Sequence, residues 1–81
     1  MSEPITIIVD IEYPDLAKLK AKKFFLSKGI RSTDDSFEND KWEGKYRMIG
    51  DHKLEITFMR RPWWAKQPVI EPEIQKFFVG V

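Results

Sequence analysis

Cysteine is absent from all 81 residues, which excludes disulfide staples, thiolate nucleophiles and iron–sulfur clusters. Histidine occurs once, at His52, and without thiolates it cannot assemble the four nitrogen or sulfur ligands of a structural zinc site. Glycine is scattered over Gly29, Gly44, Gly50 and Gly80, so no phosphate-cradling loop can be built. Serines stand at positions 2, 27, 32 and 36, none in the strand–turn–helix setting of a nucleophile elbow. Long apolar runs are missing as well: Asp10 interrupts the first, and the rest fall far short of the roughly 20 residues of a membrane helix. The opening Met-Ser-Glu-Pro carries acid where a signal peptide needs base. The expectation is therefore an intracellular, cytoplasmic chain with no membrane segment.

What is present is material for a core. Hydrophobic residues make up 42% of the chain, including three Trp, two Tyr and six Phe. Each aromatic side chain can bury about 150–250 Å². The length suits one domain spanning 1–81, with a thin stability margin because so short a chain hides only about 60–65% of its unfolded surface. Net charge is +1, but it is segregated. Residues 1–15 carry −4, 16–31 carry +6, 32–43 carry −4, 44–66 carry +4 and 67–81 carry −1. Such blocks are the ordinary signature of a solvated surface with alternating patches.

Periodicity supplies the elements. Ile5, Ile7, Val9, Ile11 and Tyr13 share one face and Thr6, Asp10 and Glu12 dominate the other, predicting a half-buried strand. Pro14 breaks it and opens a helix, with Asp15 beside the positive helix end. That helix runs to about Lys28, where Gly29 supplies a left-handed cap and Ile30 folds back toward Phe25. Arg31 to Asp40 is polar and reads as a loop. Two alternating stretches, 42–49 and 53–59, form a hairpin around Gly50-Asp51-His52. A three-residue loop sets Met48 opposite Leu54, Tyr46 opposite Ile56 and Gly44 opposite Phe58, whereas a two-residue loop would mix the faces. His52 is then expected at the left-handed position of the turn. Glu71-Pro72-Glu73 opens a last helix whose Ile74, Phe77, Phe78 and Val81 form one apolar stripe.

The predicted fold is α+β, ordered β-α-β-β-α. The right-handed crossover rule gives a three-stranded antiparallel or mixed sheet of order 1-3-2 with both helices on one face, a split βαβ-like arrangement without its fourth strand. The first strand is left as an apolar edge, which invites a homodimer through residues 5–11.

Catalytic and metal chemistry find no foothold, and no cofactor is expected. Asp34, Ser36, Glu38 and Asp40 alternate as the first ligands of a calcium loop would, but Asn39 replaces the glycine and Lys45 the bidentate glutamate that such a loop needs. The carboxylate pairs Asp10/Glu12 and Glu43/Glu55 project from the outer sheet face, where nothing builds a pocket that excludes water. The informative segment lies between Pro62 and its neighbours: Arg60, Arg61, Trp63, Trp64 and Lys66. Trp and Arg are the residues most enriched at binding hot spots. Adjacent indoles in an extended link point to opposite sides, so one is expected to cap the core and the other to stay partly exposed. The expected function is a small protein-binding module, an accessory regulator, inhibitor or subunit rather than an enzyme. The alternative is nucleic-acid binding, with Lys18, Lys20, Lys22, Lys23 and Lys28 on phosphates and an indole stacked on a base. Against that stands a pI near 8.0, below the value of about 9 usual for dedicated binders.

Overall fold

Period-two alternation and one proline-opened amphipathic segment dictate most of the architecture. The computed structural model describes residues 4–79. The elements are β1 (Ile5–Asp10), α1 (Pro14–Ser27), β2 (Arg31–Ser32), β3 (Ser36–Glu38), β4 (Glu43–Ile49), β5 (Lys53–Arg60) and α2 (Gln67–Val79). The sheet runs β1-β5-β4-β3-β2, with every neighbouring pair antiparallel. β1 and β4 therefore run the same way on either side of β5. The expected sheet of three strands is corrected to five, because the stretch read as a loop pairs its backbone: Arg31 with Glu38, Ser32 with Phe37, and Phe37 with Gly44. Strands of two and three residues are too short to display a period. They are held instead by side chains of the turns. Ser36 N–H donates to Thr33 Oγ1, and Lys41 and Trp42 N–H both donate to Asn39 Oδ1.

The β4–β5 register is the one a three-residue loop requires, with Met48 opposite Leu54, Tyr46 opposite Ile56 and Arg47 opposite Glu55. The left-handed residue of that turn is Gly50, with φ 71°, and not His52. Glycine reaches that region at no steric cost, so His52 is spared it. His52 instead ties the end of β1 to the hairpin. Its carbonyl accepts from Ile11 N–H at 2.7 Å, and its Nδ1 lies 3.2 Å from the Ile11 carbonyl.

Both helices cover one face of the sheet. There Ile7, Val9, Tyr46, Leu54, Ile56 and Phe58 are buried. α1 ends in a Schellman cap: Ile30 N–H reaches Phe25 O, Gly29 N–H reaches Leu26 O, and Gly29 takes φ 78°. The cap turns Ile30 inward and fixes Phe25 over the sheet. Phe25 stacks on Phe37 at 3.9 Å, the shortest ring pair of a cluster that includes Tyr46 and Phe58. Gly44 makes room for this cluster, since a β-carbon there would run into the Phe37 ring tip and the Thr57 carbonyl. Phe24 meets Phe77 at 4.9 Å and joins the two helices.

α2 starts at Gln67, four residues before the predicted Glu71. Pro72 lies inside the helix and cannot donate to the Pro68 carbonyl one turn earlier. Both prolines are exposed, where a missing backbone bond costs less than it would in the core. Ile74 and Phe78 are buried and Phe77 is partly so, while Val81 lies outside the described residues. β1 forms one edge of the sheet. Gln75 Nε2 donates to the Ile8 carbonyl on that edge at 3.4 Å and so occupies one of its free acceptors. No helix among the described residues is long and apolar enough to cross a membrane.

Candidate functional site

The link from β5 to α2 is a tight turn and not the extended segment its prolines suggested. Ala65 N–H donates to the Pro62 carbonyl at 3.0 Å, closing Pro62-Trp63-Trp64-Ala65. Proline in a turn presets its own φ, and Ala65, fully buried, plugs the turn into the core. The Lys66 carbonyl accepts from Val69 and Ile70 N–H and starts α2. With Ala65 taking the inward position, both indoles are left outside. Trp63 is 86% exposed and Trp64 51% exposed. Neither caps the core in the way one of them was expected to. Trp64 instead leans edge-on against Trp42 at 5.9 Å, and Trp42 in turn meets Phe58 at 5.8 Å. An aromatic chain thus runs from the surface to the Phe25 cluster and steadies Trp64, while Trp63 has no ring contact among the described residues.

The cationic residues of the segment differ in their surroundings. Arg60 is anchored: its Nη2 donates to the Asn39 carbonyl at 2.8 Å and sits 3.8 Å from both Glu38 and Glu43. Arg61 has a buried Nε with no hydrogen-bond partner among the described residues, an uncompensated donor on a cation. The Lys66 side chain is exposed. The lysines of α1 are dispersed around that helix. Lys22 is 3.9 Å from Asp34, and Lys28 Nζ lies over the Phe24 ring at 5.7 Å. Lys28, at the C-cap of α1, lines a cavity together with Trp64.

That cavity, about 230 Å³, opens between the helices over β5. Phe24, Phe58, Ile70 and Ile74 wall it, Trp42 and Trp64 close one side, and its charged groups are Lys28 and Glu73. It can take an apolar side chain but is below the 300–1,000 Å³ usual for a small-molecule site. Sequence reasoning missed Trp42, whose alternation with Gly44 marked it only as a strand residue. Its role emerges once α2 brings Trp64 against it. Burial pushes the Tyr46 hydroxyl above its ordinary pKa, with the Ser32 hydrogen bond opposing and Asp34 and Asp35 adding to the rise. This hydroxyl bonds Ser32 at 3.0 Å and the Thr33 carbonyl, so its task is to hold β2 onto β4. Among the described residues no group of three or more His, Asp or Glu is placed to hold a metal ion. No protein-family model matches the chain, and neither a curated protein nor a solved structure matches it.

Proposed function

We propose that this chain is a non-catalytic protein-binding module, an accessory regulator, inhibitor or subunit of a larger protein, that docks through the turn after β5. The observation that carries the reading is Trp63, a large indole 86% exposed on a turn pinned at both ends. Leaving so much apolar surface in water is unfavourable by about 25 cal/mol per Å², and rigid aromatic anchors lose little entropy on binding. Two neighbours fit an interface: half-exposed Trp64 and the apolar cavity beside it. Arg60 then supports the turn, and Lys66 lies at the rim.

The test is a selection of binding peptides from a random display library, using the whole chain as bait. Binders should lose affinity for the Trp63→Ala/Trp64→Ala double variant while that variant keeps its circular dichroism. Binders that recognise the double variant equally well refute the site. Lys28 beside Trp64 supports a second reading, in which a single-stranded nucleic acid stacks on the indole with its phosphates near the lysines. It requires that a short oligothymidylate quench Trp fluorescence at low salt and release as salt rises; no quenching at low salt excludes it.

A further inference from the structure

α1 carries two apolar faces, and the turn after β5 uses none of its three outer leucines. Its inner face is Ala17, Ala21 and Phe25, all buried. At 100° per residue, Leu16, Leu19, Lys23 and Leu26 fall on the opposite side, which an ordinary surface helix gives to polar residues. The three leucines are 47%, 49% and 51% exposed. With Lys23 the four positions are spaced three, four and three residues apart, the a/d seam of a helix pair, with Lys20 and Lys22 on its two flanks. The seam covers roughly 15 Å, about three turns, enough for one partner helix.

Charge decides which partner. On this helix Lys18, Lys20, Lys22 and Lys23 stand against a single acid, Asp15, and Lys22 has a further acidic neighbour in Asp34 at 3.9 Å, which leaves the face net basic. A second copy of α1 would bring lysine flanks against lysine flanks in either orientation, and like charges across a helix pair oppose association. An anionic membrane would satisfy the flanks but would force the Lys23 ammonium into the apolar layer between the leucines. A partner helix meets all four side chains at once. We propose that the outer face of α1 docks an acidic amphipathic helix of another protein, with leucine-like residues along its seam, Asp or Glu on its flanks, and one carboxylate opposite Lys23.

The probe is a fluorescent synthetic helix about three heptads long, with Leu at the seam, Glu on the flanks and one Glu at the central seam position. Its twin carries Lys in place of every Glu. By fluorescence anisotropy the acidic peptide should bind and the twin should not. Leu19→Ser and Leu26→Ser, both at half-exposed positions and checked for an unchanged fold by circular dichroism, should each weaken binding roughly tenfold. Lys23→Glu should weaken the acidic peptide. Trp63→Ala should change nothing, which separates this surface from the turn after β5. The proposal is overturned if neither peptide binds, if both bind alike, or if the leucine variants bind normally. It is equally overturned if the chain sediments with phosphatidylserine vesicles and ignores the acidic peptide.

Discussion

Gly44→Ala is the change that presses hardest on the packing. A β-carbon at this position would overlap the Thr57 carbonyl and the Phe37 ring tip. Neither can yield cheaply: Thr57 belongs to the β4–β5 ladder, and Phe37 is stacked on Phe25 at 3.9 Å within the buried cluster. A strand glycine with open space around it would gain about 0.5–1 kcal/mol from the same substitution, through lower entropy of the unfolded chain. The sign of the effect is therefore diagnostic. Overpacking against backbone should cost about 3 kcal/mol or more. A domain of this length has only about 4–12 kcal/mol in total. In urea, with a slope of about 1–1.5 kcal/mol per molar, the midpoint should fall by roughly 2–3 M. Gly29→Ala serves as the contrast, since its site is spacious but its φ is 78°, and it should cost only about 1–2 kcal/mol. A Gly44→Ala protein as stable as the parent would show that Phe37 does not lie over β4 and that the outer strands are placed wrongly.

Stability should also respond to alkali through Tyr46. Because burial raises its pKa above 10.0, the fold favours the neutral phenol; this contribution is intact below pH 10 and declines as pH rises toward the folded value. Tyr46→Phe should remove that decline and cost about 1–3 kcal/mol through loss of the hydroxyl's bonds to Ser32 and the Thr33 carbonyl, as urea titrations at several pH values would show. Trp63→Ala should leave stability within about 0.5 kcal/mol of the parent, while Trp64→Ala should lose about 0.5–1.5 kcal/mol with its edge-on contact to Trp42; thermal melts distinguish the two. Pairing of two chains through β1 must displace Gln75 from the Ile8 carbonyl, so Gln75→Ala should promote any such dimer. Light scattering that finds monomers for both proteins across the micromolar range removes the edge-strand dimer.

The long strands and their register were legible because parity is unforgiving: Tyr46, Met48, Leu54 and Ile56 share a face only with a three-residue loop. The Gly29 cap was legible for a similar reason, since its chemistry is local and its apolar contact, Ile30 on Phe25, is five residues apart. β2 and β3 were not. Their pairing depends on Phe37 entering a cluster built by residues distant in sequence, and a lone phenylalanine among Ser, Asp and Glu has no period to read. The start of α2 was masked because Glu71-Pro72-Glu73 has the composition of a helix opening, whereas at the exposed Pro68 a missing backbone bond costs less than it would in the core. At the site, the cluster of Arg and Trp was visible as composition. Its turn was not, because the deciding residue is Ala65, whose burial no local pattern announces.

Nitrogen-edited NMR of the Trp42, Trp63 and Trp64 indole N–H groups gives the most direct reading of the docking surface, recorded while a display-selected peptide is added to the labelled chain. An interface at the turn after β5 requires the Trp63 and Trp64 signals to move with saturation and the Glu55 and Arg47 amides on the far sheet face to stay fixed. Saturating peptide that leaves the Trp63 indole signal in place would contradict it.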